Sequence, residues 1–270
     1  MTTAVMHSAE TTRLPAWPAW RQAVRATLLL GQREIRTVLR TPAIFIPNLV
    51  VPLFFYFVMV GSLEDFATRS GVQNWQAFQI PVAIMFAVQG GSAGLNMVAD
   101  IESGYFDKLM LTPASRLAVL IGAMSADFLR IMVQAALVVG LAVLAGGSIA
   151  TGLPGAAAMV LLGGFWGLSY SGLGFAIALK TGNSQATQSM WVLFMPLMFL
   201  TTVFAPMDAL SGWLKVAATI NPMTYFLRGM REIAISGWDL SEIGVGVLAV
   251  AVLGCVSISL ALMALRGRVA

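Results

Sequence analysis

The chain has 270 residues, 58% of them hydrophobic and 10% charged, with a formal net charge of +4. A soluble domain carries roughly 25% charged residues, so this composition excludes an ordinary water-soluble globule and points to a lipid environment. Hydrocarbon offers no hydrogen-bond partners, which restricts a spanning chain to helices or a closed barrel; the apolar segments here are too long for alternating barrel strands, so an all-α bundle is expected. The single cysteine, Cys255, lies in the last apolar segment, which excludes an intrachain disulfide and a cysteine metal cluster. The basic residues are spread over loop ends, which fits membrane topology and not a nucleic-acid partner.

Residues 1–19, rich in Thr, Ala and Pro, read as a hydrophilic tail without the apolar core of a cleaved signal. Over 20–42 the pattern is amphipathic. Trp20, Val24, Leu28, Ile35 and Leu39 fall near one stripe and Arg21, Arg25, Arg33, Arg36 and Arg40 follow a neighbouring face. Arginine stems along the acyl boundary with their heads among phosphates would hold such a helix flat on the cytoplasmic leaflet; an ordinary solvated basic helix is the plainer alternative. Six spans follow within 43–266, at about 43–61, 77–99, 117–145, 156–179, 187–206 and 243–265, each near the roughly 20 residues that cross a bilayer. With the N-terminus inside, eleven Lys and Arg fall on the inner side and four (Arg69, Lys215, Arg228 and Arg231) on the outer, while Arg130 lies within a span. That asymmetry places both termini in the cytoplasm, in a multi-pass protein of the cytoplasmic (inner) membrane.

Two connections are more than linkers. The segment 100–116 combines acids, a glycine, an aromatic pair and a proline, and reads as a short cytoplasmic helix with turns at its ends. The outer segment 207–242 has amphipathic stretches around Trp213 and Tyr225, broken at Asn221–Pro222, too short and too polar to span. Short helices dipping back into the outer leaflet are expected there, where protein or a water-filled cavity surrounds the backbone.

The usual catalytic signals are missing. No phosphate-cradling Gly-rich loop with Lys and Ser/Thr is present; in the nearest fragment, Gly174 to Thr181, Leu179 stands where the second glycine is required. The only histidine is His7 in the tail, which disfavours zinc hydrolysis and His-assisted nucleophilic catalysis, and no metal site is expected. Ionisable groups within spans are expensive, so Asp127 and Arg130, at i and i+3 of one helix, either neutralise each other or serve transport. Gln89, Ser92 and Asn96 recur beside Gly90, Gly91 and Gly94, and Gly163, Gly167, Ser171 and Gly174 form a second small-residue face; both read as tight helix packing, with substrate contact as the alternative for the first. Phe54, Phe55, Tyr56 and Phe57 read as a lipid-facing or interfacial belt, or as a hydrophobic substrate wall.

Within 100–116 the order Glu102, Gly104, Asp107–Lys108–Leu109, Pro113, Arg116 resembles the cytoplasmic signature of type-2 ABC exporter (ABC-2) permeases. The resemblance extends to the basic amphipathic helix, the six spans, and the outer run Phe204 to Leu214 followed by Asn221–Pro–Met–Thr–Tyr. It is closest in form to the drug-resistance branch typified by the daunorubicin exporter permease; Tyr105 and Asp107 stand where many other members have Thr and Glu. The resemblance implies a homodimer with its path at the interface, and two copies of a separate nucleotide-binding subunit beneath it. ATP and Mg would be bound on that partner, with no cofactor on this chain. It makes 100–116 a coupling helix, with Glu102, Asp107, Lys108 and Arg116 as polar docking contacts, Tyr105, Phe106 and Leu109 as apolar anchors, and Gly104 and Pro113 shaping the backbone. It also makes 207–242 an outer gate, with turns set by Pro206, Trp213, Asn221 and Pro222. The expected activity is ATP-driven export of a drug, lipid or lipid-linked glycan. An ion-coupled secondary transporter, which would usually show repeats and midplane acids, and a non-transporting membrane scaffold are the rival readings.

Overall fold

The structure is a computed structural model that describes residues 42–69, 71–72, 74–89, 94–110 and 116–269. The tail 1–19 and the amphipathic segment, apart from Pro42, lie outside the described residues, as do Gly90, Gly91, Ser92 and Pro113. Every regular element among the described residues is helical: α1 (Pro42–Arg69), α2 (Trp75–Gln89), α3 (Leu95–Glu102), α4 (Tyr105–Met110), α5 (Arg116–Leu144), α6 (Gly152–Thr181), α7 (Ser184–Phe199), α8 (Gly212–Ile220), α9 (Pro222–Arg231) and α10 (Leu240–Val269). Four of them, α1, α5, α6 and α10, are long and apolar enough to cross a membrane. They correspond to the first, third, fourth and sixth expected spans.

The second and fifth spans differ from expectation. A continuous helix over 77–99 is interrupted, because α2 ends at Gln89 and Gly94 sits at φ 75°, ψ −12° ahead of α3. A rise of 1.5 Å per residue makes the 15 residues of α2 about 22 Å long, short of the ~30 Å hydrocarbon core. The helix expected over 187–206 stops at Phe199. Beyond it the β-branched run Thr201–Thr202–Val203 and Pro206 oppose helix, and the Thr201 hydroxyl donates to the Met198 carbonyl (2.6 Å) in competition with the backbone ladder.

Helix α6 is the central post, the most buried of the four long helices, and α1 is the least. Its small residues make that position available. A Cβ on Gly163 would lie 2.8 Å from Ile84 Cγ2 of α2, and one on Gly167 2.6 Å from Ile131 of α5. The Ser169 hydroxyl is shared between the Phe165 carbonyl and the Val250 carbonyl of α10 (2.9 and 3.1 Å). Helix α2 is buried along almost its whole length, and Phe55 of α1 stacks on its Phe86 at 4.4 Å. Pro52 in α1 has no N–H to offer the Asn48 carbonyl four residues earlier; Gln134 of α5 donates to that carbonyl instead (3.1 Å).

Gly94 is the tightest crossing. A Cβ there would stand 2.5 Å from the Gly174 carbonyl oxygen, and the left-handed backbone is strained for any side chain. Gly94→Val is expected to lower stability by about 2–4 kcal/mol, whereas Gly61→Ala, with nothing within 4 Å of the added Cβ, is expected to be neutral or slightly stabilising. Thermal unfolding of both variants in detergent, followed by tryptophan fluorescence, checks the contrast.

Candidate functional site

Chemistry-bearing side chains gather at the two ends of the bundle. At one end lie α3, α4, the start of α5 and the last turns of α6 and α10; at the other lie the α1–α2 and α5–α6 turns together with α8 and α9.

At the first end α3 runs into a tight turn at Ser103–Gly104. The Ser103 hydroxyl donates to the Asp100 carbonyl (3.2 Å) and the Gly104 N–H to the Ile101 carbonyl (3.0 Å). Gly104 takes φ 69°, and a Cβ there would meet nothing within 4 Å, so the constraint is the backbone conformation alone. The turn fixes which side chains face outward. Tyr105 is 54% exposed, and Glu102 and Lys108 are exposed with it. Phe106, 2% exposed, turns inward into a cluster with Met97, Val98, Leu120, Met124, Phe175, Leu179, Ala261 and Leu265. It therefore ties α4 to its own chain, namely α3, the start of α5 and the ends of α6 and α10. The side chains of Asp107, Leu109 and Arg116 lie outside what the structure describes.

At the second end the outer segment folds as a 3-10 turn (Met207–Ala209), α8, α9 and a π turn over Glu232–Ser236. Pro206 leads into the first turn, and Trp213 is 70% exposed on α8. Asn221 does two jobs: its Oδ1 caps α9 by accepting from the Met223 N–H (3.0 Å), and its Nδ2 donates to the carbonyls of Leu197 (2.6 Å) and Leu200 (3.3 Å) at the end of α7. Pro222 follows at the first helical position, where the missing N–H costs nothing. The Tyr225 hydroxyl closes α9 on α8 by donating to the Thr219 carbonyl (2.7 Å).

Sequence reasoning missed Arg231, counted there as an ordinary outer-loop cation. It is 8% exposed. Its Nη1 donates to the Thr202 hydroxyl (2.7 Å), Nη2 to the Thr202 carbonyl (2.7 Å) and Nε to the Phe78 carbonyl (3.2 Å), and its guanidinium carbon stands 3.4 Å from the Phe78 ring centroid. Gln79, next along α2, donates to the Val203 carbonyl (3.3 Å). A signal was present: Met223, Leu227 and Arg231 recur every four residues, which places the arginine on the apolar stripe of α9.

Within the bundle, Asp127 and Arg130 form an ion pair at 2.9 Å with both side chains largely buried. The aromatic run of α1 divides: Phe54 and Phe57 are exposed, Tyr56 is buried, and Phe55 packs inward. Asn96 is exposed, while the Gln89 side chain and Ser92 lie outside the described residues. Between α6 and α10 runs an almost wholly apolar groove of ≈ 630 Å³, lined by Leu161, Phe165, Trp238, Val247, Ala251 and Cys255 among others. No group of three His, Cys, Asp or Glu among the described residues could hold a metal ion.

An all-helical bundle with several long apolar helices, a polar turn at one end and short broken helices at the other is the form of a multi-pass membrane protein. Residues 25–235 match the model of the ABC-2 type transporter family, and the chain belongs to that family. It is similar to the daunorubicin resistance ABC transporter permease protein DrrB1 of Streptomyces coeruleorubidus, 27% identical over 230 residues that cover 83% of this chain and 81% of that protein. It is also similar to a putative transport permease, ycf38, of Cyanophora paradoxa (25% identical, covering 81% and 78%). The probable doxorubicin resistance ABC transporter permease protein DrrC of Mycobacterium tuberculosis is 24% identical over 237 residues, covering 85% and 84%.

The double use of Asn221 yields a test. Asn221→Asp keeps the capping oxygen but loses the amide donor and sets a carboxylate against two carbonyls, so a loss of about 2 kcal/mol in thermal stability is expected. Asn221→Ala loses cap and donor without that repulsion and is expected to cost no more than the Asp variant; calorimetry of the two variants in one detergent orders them.

Proposed function

We propose that the chain is the transmembrane permease subunit of an ATP-driven ABC exporter that moves a hydrophobic or amphipathic substrate outward: a drug, a lipid or a lipid-linked glycan. It works as a homodimer with two copies of a separate nucleotide-binding subunit, which binds the ATP and Mg; this chain binds no cofactor and hydrolyses nothing. The observation that carries the reading is the α3–α4 turn, with Glu102, Tyr105 and Lys108 outward and Phe106 locked inward.

A nucleotide-binding subunit docked on that turn through Glu102, Tyr105, Asp107, Lys108, Leu109 and Arg116 would move α4 as a lever. Phe106 couples it to Leu120 and Met124 of α5, and Gly94 and Gly104 supply left-handed joints on either side of α3. Motion driven by ATP at the cytoplasmic face would thus reach α5 directly, and α6 and α10 through the same cluster. The segment over α2 and α3 provides the second crossing and α7 with 200–205 the fifth, both termini are cytoplasmic, and the basic segment 20–42 lies on the inner leaflet beside the docking site. The second copy of the chain covers α1 and α7, whose apolar faces stand open: Ile46, Val50, Phe54 and Phe57 recur at helical spacing on α1, as do Val192, Leu193 and Leu197 on α7. The outer segment, held by Asn221 and led by Pro206, Trp213 and Pro222, closes the path on the outside. The drug-resistance names of the relatives support export of an apolar cargo, and the apolar groove beside α10 is compatible with one.

Copurification tests the docking site. The solubilised wild-type chain is expected to capture the ATPase made from a neighbouring gene, and a charge-swapped Glu102, Asp107 and Lys108 variant to lose it; capture that survives the swap removes the turn from the contact. A second test separates coupling from folding. Gly104→Val, strained by about 1–2 kcal/mol at positive φ, is expected to insert normally yet reduce substrate-stimulated ATPase and transport several-fold, whereas Gly104→Asn, which tolerates that conformation, is expected to retain both. Unchanged coupling in the Val variant would favour a scaffold.

A further inference from the structure

We propose that Arg231 is the releasable clasp of the outer segment: its guanidinium keeps α8 and α9 seated on α2 and on 200–205, and opening of the outer side requires it to leave Phe78 and Thr202. The inference rests on the exporter reading for its purpose, though not for its geometry.

Three observations carry it. The first is the partner set. Arg231 joins α9 to two other parts of the chain through the Phe78 carbonyl, the Thr202 carbonyl and hydroxyl, and the Phe78 ring. All are neutral, and among the described residues no carboxylate pairs with this buried cation. A buried charge offset only by dipoles and a ring face keeps much of its desolvation cost, so water reaching the guanidinium would stabilise the released form. A carboxylate partner would make the contact hard to break, whereas neutral acceptors leave two arrangements close in free energy.

The second observation is the backbone immediately after the arginine. The helix widens into a π turn over Glu232–Ser236 and ends at Gly237 with φ 133°. Such turns recur where a helix must adjust. The third is the bearing surface of α9. Gly229 meets Gly246 of α10 backbone to backbone, a Cβ on Gly229 lying 3.1 Å from the Gly246 Cα, and the pairing of Arg228 with Glu242 of α10 holds the register beside it. The seat of α9 on α7 and on 200–205 is thus fastened at its two ends, by Asn221 and by Arg231, while Arg228 ties it to Glu242 of α10 and Phe226 stacks on Trp166 of α6.

The test uses the full chain with its ATPase partner in lipid nanodiscs, on a Cys255→Ala background that removes the only native thiol. Thr224→Cys places a probe on α9 at a site 2% exposed, whose hydroxyl has no hydrogen-bond partner among the described residues and so loses none. Labelling by a membrane-impermeant maleimide without nucleotide is expected to be about tenfold faster when Thr202→Val or Arg231→Lys is added, the factor set by one charge-assisted hydrogen bond. Ser171→Cys on α6, another buried hydroxyl without a partner, is the control and is expected to label at an unchanged rate. Equal rates at Thr224→Cys in all three backgrounds, or an equal rise at Ser171→Cys, would overturn the clasp. ATP is expected to speed labelling of the parent Thr224→Cys complex; a clasp effect without ATP dependence would overturn the exporter coupling and leave the clasp standing.

Discussion

A helix that stops inside an apolar bundle leaves its last carbonyls without partners, and the outer half of this protein is organised around supplying them. Helix α7 ends at Phe199, with the following turn packed among apolar neighbours. Donors arrive from three directions: the Asn221 amide to Leu197 and Leu200, the Arg231 guanidinium to Thr202, and the Gln79 amide to Val203. Each also fixes an element that brought it, so satisfying one short helix positions α9, the π turn and the start of α2 together. The same logic operates in α1, where the Pro52 defect is covered by Gln134 of α5.

The small residues of α6 set the geometry on which those bonds depend. Gly163 and Gly167 let α2 and α5 approach the post closely, and Ser169 binds the backbone of α10. A post in contact with so many helices moves little against them, because close packing admits few intermediate arrangements. Left-handed or unusual backbone lies elsewhere: at Gly94 and Gly104 flanking α3, and at Gly237 after the π turn.

This division suits a membrane transporter of the ABC-2 family. At one end α3 and α4 expose Glu102, Tyr105 and Lys108, while Phe106 packs inward. At the other end the short helices are held by side-chain bonds to backbone, individually modest and collectively specific. Between them α1 and α7 leave apolar faces uncovered, which in lipid has no aqueous cost.

Much of the architecture was legible in the chain itself. Long apolar runs determined α1, α5, α6 and α10, because a spanning helix needs only local composition and length. Asn221–Pro222 marked its break, and the glycine rows of α6 marked a packing face, since capping and small-residue contact are local chemistry. The interruption at Gly94 was not legible, since a glycine in a small-residue face reads equally as a packing contact or a left-handed joint, and the Gly174 carbonyl 80 residues away decides it. Nor was the early end of α7, which depends on donors from α9 and α2 to take up its carbonyls. The position of Arg231 was decided in the same way. Its stripe along α9 was in the sequence, but whether a cation on a short amphipathic helix meets water or a buried cage depends on which carbonyls the fold brings to it. The sequence by itself determined the solvent, the four long helices and the break at Asn221–Pro222; the tertiary structure alone decided the other breaks and which polar groups must serve one another, because a hydrogen bond needs a partner that no local pattern names.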